Sequence, residues 1–173
     1  MFKFEEHKFF AHKLVVCSSC PVLHTMFSSG MKETQFARAT YSLPEWTEWE
    51  AFEMVMDYCY TGDWTYSRKV SPGNEMDVSL VTEVLRLSDL FLMNHLKSCC
   101  EVFLSTVQID VFNVCSLMQI AEMCNAKQLE TYCAFTIRIM FATVQQTEEW
   151  KSLPPDTQRK ILAGSLFAGV DDQ

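Results

Sequence analysis

Eight cysteines and four histidines are the residues of this 173-residue chain best suited to chemistry. Cys17-Ser18-Ser19-Cys20 is the one C-x-x-C, with His12 and His24 nearby, a pattern open to zinc ligation or to a redox pair. A structural zinc module brings a second ligand pair from a short loop. Here the other cysteines fall at helical spacings among apolar residues, where cysteine behaves as a small hydrophobe. Adjacent Cys99 and Cys100 would point about 100° apart on a helix and serve one metal poorly. Core thiols are therefore expected, with no metal and no cofactor. Cys20, just ahead of Pro21 at a helix start, is the candidate redox sensor, because a helix N-terminus lowers a thiol pKa. His7, His12, His24 and His95 are dispersed, and no nucleophile elbow, H-E-x-x-H helix or phosphate-binding glycine loop occurs, so an enzyme is not expected. Glu45, Glu48, Glu50 and Glu53 suit a helix N-terminus. Met26, Phe27 and Met31 beside Ser28-Ser29-Gly30 suit an interface, Met31 being the lone apolar residue of a polar run.

The elements that must carry these residues follow from their spacing. Phe2 and Phe4 alternate with polar neighbours, Glu6-His7-Lys8 can turn the chain, and Phe9-Phe10-Ala11 returns, which predicts a short hairpin. His12 to Met31 predicts two short helices broken at Ser19 or Cys20, with Pro21 at a first helical position. Gln35–Ser42 alternates as a strand. After Leu43-Pro44 a helix carries Trp49, Phe52, Val55, Met56 and Cys59 and stops at Tyr60-Thr61-Gly62. Asp63–Asp77 is the one long polar Gly/Pro loop. The remainder reads as helices: Val81, Val84, Leu85 and Ser88 on one face; Leu96, Cys99, Cys100 and Phe103; Val111, Val114, Cys115 and Met118; then Leu129, Tyr132, Cys133, Thr136 and Met140, opened by Asn125 as N-cap with Gln128 three residues on. A last helix begins near Pro155.

Composition sets the outer limits. The chain is 49% hydrophobic and 21% charged, with 14 basic against 22 acidic side chains and a net charge of −8, so it can bury a core and is poorly suited to nucleic acid or anionic membrane. No apolar run exceeds four residues, against the roughly 20 of a spanning helix, and no secretory leader is visible, which predicts a cytoplasmic or nuclear location and reduced thiols.

Five blocks in order resemble the BTB/POZ family: Phe10-Ala11-His12-Lys13-Leu14-Val15-Val16; Cys20-Pro21-Val22-Leu23 with Met26-Phe27-Ser28-Ser29-Gly30-Met31-Lys32-Glu33; Glu50-Ala51-Phe52-Glu53; Tyr58-Cys59-Tyr60-Thr61-Gly62; and Leu87-Ser88-Asp89-Leu90-Phe91 running to Leu96-Lys97-Ser98-Cys99-Cys100. Asp110–Phe141 resembles the helical extension called the 3-box, or the start of a BACK domain, and Trp150–Pro154 suits its continuation. The resemblance implies an α+β, mainly α fold, with helices around a small sheet over residues 1–105 and a 3-box or partial BACK extension over 106–173. It also implies a protein-interaction module, for which the leading expectation is an adaptor of a cullin-3 ubiquitin ligase. In such adaptors an apolar-x-Glu motif inserts into the cullin, and Met31, Lys32 and Glu33 match it; Phe91 matches an aromatic that also touches the cullin.

The implied partners are the cullin-3 N-terminal domain and a substrate protein, and homodimers or heterodimers are compatible with the family. The helix and strand that open many members, and serve their dimerisation, have no counterpart in this sequence. The alternatives are a scaffold module without ubiquitination and a corepressor-binding module; the latter is disfavoured by Ser19 standing where many members have Arg or Lys. No Kelch repeat, MATH domain or zinc finger occurs within these 173 residues, so substrate recognition is expected to sit elsewhere.

Overall fold

The computed structural model describes residues 1–4, 7–28, 41–64, 77–106 and 109–164. It divides into two compact units, Met1–Cys100 and Glu101–Gln173, with the division falling inside one helix.

In the first unit, β1 (Phe2–Phe4) pairs antiparallel with β2 (His7–Phe9), with Phe2 opposite Phe9 and Phe4 opposite His7. The return strand thus starts at His7, earlier than the alternation suggested, because Phe9 is needed on the same face as Phe2. β3 (Tyr41–Ser42) pairs parallel with β1, giving the order β2-β1-β3; the rest of the expected 35–42 strand lies outside the described residues. Buried Phe2 and half-buried Phe9 bring their rings to Phe52 of α3 (Trp49–Thr61), at 5.1 and 5.8 Å between centroids, and His7 stacks on Trp49 at 4.7 Å. These edge and tilted contacts are the favoured ring geometries, and they seal the sheet onto α3. Gly62, with φ +72, gives α3 its left-handed stop, a conformation that costs glycine nothing.

α1 (Lys13–Ser19) and α2 (Pro21–Ser28) break where expected: Cys20 is extended, as the residue before a proline prefers, and Pro21 opens α2. α4 (Val78–Leu90) is capped by Asp77, whose carboxylate accepts from the Ser79 amide at 2.9 Å, and it packs on α3 through Val81, Val84, Leu85 and Leu87. The polar loop 65–76 lies outside the described residues. α5 (Asn94–Thr106) follows, with Leu96, Cys100 and Leu104 buried and Cys99 half exposed.

The second unit contains α6 (Val114–Met123), α7 (Lys127–Ile139), α8 (Phe141–Val144), α9 (Glu148–Ser152) and α10 (Pro155–Ala163). Leu117, Met118 and Ala121 of α6 meet a face of α7 made by Leu129, Cys133 and Ile137. Tyr132, expected on that face, is 40% exposed, one residue off its register. Thr147 caps α9 by accepting from the Trp150 amide at 3.2 Å, and Trp150 packs edge-on against Phe141.

The expected N-cap of α7 is a correction. Asn125 is not the cap: it takes φ 50 in the turn that ends α6, and Ala126, which holds the N-cap position, has no side-chain acceptor. The acceptor comes from α5, where one Glu101 oxygen receives the amides of Gln128 at 2.8 Å and Leu129 at 3.2 Å. Asparagine is one of the few residues that visits the left-handed region readily, so the turn claims Asn125 before the cap can.

Candidate protein-interaction site

The residues that build this site lie in the first unit, at the ends of α1, α2, α3 and α4. His12 stands at the N-cap of α1. Its backbone amide donates to the Tyr60 hydroxyl at 2.8 Å, and its Nδ1 lies 2.9 Å from the same oxygen, so the start of α1 is tied to the end of α3. A hydroxyl that accepts from the amide completes the contact by donating to Nδ1. The next residue, Lys13, sends its ammonium to the Phe27 carbonyl at 3.1 Å and over the Phe27 ring at 5.5 Å. α2 has no basic residue in its own last turn, so Lys13 supplies the cation that a helix C-terminus favours. Ser19 Oγ donates to the Cys59 carbonyl at 3.1 Å, fixing the other end of α1 on α3.

Cys20 is buried, and its thiol donates to the Phe91 carbonyl at 3.4 Å, which joins the α1–α2 break to the end of α4. Beyond Phe91 the chain turns sharply. Leu92 has φ 54, and Met93 donates back to Ser88 at 2.8 Å, the six-to-one bond of a Schellman turn. Lys97, on α5, returns to Asp89 at 2.7 Å. Four of the five blocks picked out in the sequence therefore meet through His12 with Tyr60, Lys13 with Phe27 and Cys20 with Phe91, while Phe52 of the remaining block meets Phe2 and Phe9 of the sheet.

The expected contact residues divide. Met31, Lys32 and Glu33 lie outside the described residues; what is described is the helix that leads to them, α2, with half-buried Met26 and Phe27 in its last turn. Phe91 is enclosed, with 0% exposure, so it does not offer its ring to solvent as an interface residue would. Exposure at this corner belongs to its neighbours, Leu90 at 38% and Leu92 at 57%. The sequence did hold the signal: Phe91 follows Val84 by seven and Ser88 by three, the register of the inner face of α4.

Six of the eight thiols are buried, and Cys17 and Cys99 are half-buried. Cys17 donates to the Leu23 carbonyl at 3.8 Å while Cys20 addresses Phe91, so the two are directed to different acceptors. Burial pushes the Cys20 thiol up from its usual range, outweighing the helix start expected to lower it. Burial pushes Cys59 and Cys133 up to about 12 and Cys115 to about 11. Among the described residues no group of three or more His, Cys, Asp or Glu is placed to hold a metal ion, and no helix is long and apolar enough to cross a membrane.

Comparison with known proteins agrees with the geometry. The BTB/POZ domain family matches residues 1–108, and the chain belongs to that family, whose domain is a protein-interaction module. Human Kelch-like protein 11 is 30% identical over 152 residues, covering 85% of this chain and 20% of that protein. Human Kelch repeat and BTB domain-containing protein 7 is 26% identical over 160 residues, covering 92% of this chain and 21% of that one. Mouse inhibitor of Bruton tyrosine kinase is 27% identical over 154 residues, covering 89% of this chain and 11% of that one. The chain thus spans well under half the length of these relatives.

Proposed function

We propose that this chain is an adaptor for a cullin-3 ubiquitin ligase, joining the cullin N-terminal domain to a substrate held elsewhere. The observation that carries the reading is Met31-Lys32-Glu33, which resembles the family's apolar-x-Glu contact and begins three residues past Ser28, the last residue of α2, the helix whose end Lys13 ties to α1. An apolar knob beside a carboxylate gives one desolvated anchor and one orienting polar contact, the usual make-up of an interface hot spot. Leu90 and Leu92 offer exposed apolar surface at the α4–α5 corner, with Phe91 beneath them as a positioning residue. Residues 106–173 serve in this reading as the 3-box or partial BACK extension, and the protein acts in the cytoplasm or nucleus.

The test is calorimetric titration of the chain with the cullin-3 N-terminal domain. Micromolar or tighter binding is expected, abolished by Met31→Asp in a protein that still melts cooperatively and weakened by Glu33→Ala; truncating such an anchor typically costs about 2 kcal/mol. Absence of heat at several temperatures, together with absence of co-elution, would leave the scaffold reading. The enclosed Phe91 ring favours that second reading, since it withdraws one of the expected cullin contacts.

A further inference from the structure

We draw no further inference here: the strongest candidate, the side-chain cluster between α3 and α5 in which the Tyr58 hydroxyl lies 2.7 Å and the Cys99 thiol 3.8 Å from His95 Nδ1, has nothing beyond its own contacts that points to a ligand, and burial pushes the Cys99 thiol up, away from the thiolate that a metal or an electrophile would need.

Discussion

Between Met1 and Cys100 three polar ties run from His12, Ser19 and Cys20 to a hydroxyl and two carbonyls forty or more residues away, beside two that a lysine makes, Lys13 to the Phe27 carbonyl and Lys97 to Asp89. Beyond that division two carboxylates do the comparable work: Glu101 collects two amides at the start of α7, and Glu122 takes the Thr157 hydroxyl at 2.6 Å and the Lys160 ammonium at 3.2 Å. In the first unit two of those first three ties end on backbone carbonyls, of Cys59 and Phe91, and one on the Tyr60 hydroxyl. In the second the partners are mostly backbone amides or common polar groups, which a carboxylate on any suitable helix could reach.

The largest expected effect tests the carboxylate side of that contrast. Glu101→Ala leaves two amides at the α7 N-terminus without their acceptor and should cost about 2–3 kcal/mol. Ser19→Ala, which removes one neutral bond, should cost about 1 kcal/mol. Chemical denaturation measures both, and hydrogen exchange at Gln128 and Leu129 localises the first. Equal losses for the two variants would remove the distinction between the units.

A smaller effect is common to both units and comes from their thiols. Cys59 in the first unit and Cys133 in the second are held protonated up to about 12, against an ordinary value of 9.0. When a folded-state pKa is raised above the unfolded one, the stability it contributes is complete below the unfolded value and is lost as pH rises toward the folded value. Melting temperature should therefore fall from about pH 9 upward, and replacing either cysteine by alanine should flatten the fall. A melting temperature unchanged from pH 8.5 to 10.5 would show that burial does not hold these thiols protonated.

The smallest effect compares two corners with the same backbone path. Leu92 and Asn125 both have positive φ, and in each turn the next residue donates five positions back, Met93 to Ser88 and Ala126 to Ala121, at 2.8 Å. Leucine is strained there and asparagine much less so, so Leu92→Gly should stabilise by about 1 kcal/mol and Asn125→Gly by about zero. Thermal melts of the two variants decide it. If Leu92→Gly also weakens binding of the cullin domain, the strained leucine is retained for the contact.

Several features were legible because they depend on neighbours in the chain. The break at Cys20-Pro21, the stop at Gly62 and the start at Pro155 all follow from what proline and glycine do to their own backbone. What was not legible depended on competition among distant groups. Asn125 was suited to a cap and to a turn, and only the arrival of Glu101 at α7 let the turn take it. Cys20 stood at a helix start that would lower its pKa, and burial against the α4–α5 corner reversed the sign. Phe91 occupied a contact position by resemblance and an inner position by register, and packing placed it inside.

By itself the sequence determined the family, the helical periodicities and the residues of the motif blocks, because all three are carried by residue type at fixed local spacing. Only the tertiary structure decided which polar groups hold each unit together, that Phe91 is enclosed while Leu90 and Leu92 are exposed, and that α7 keeps Tyr132, Phe135 and Ile139 in the open. Those outcomes turn on which surfaces lose water when the helices meet, a quantity that no local pattern contains.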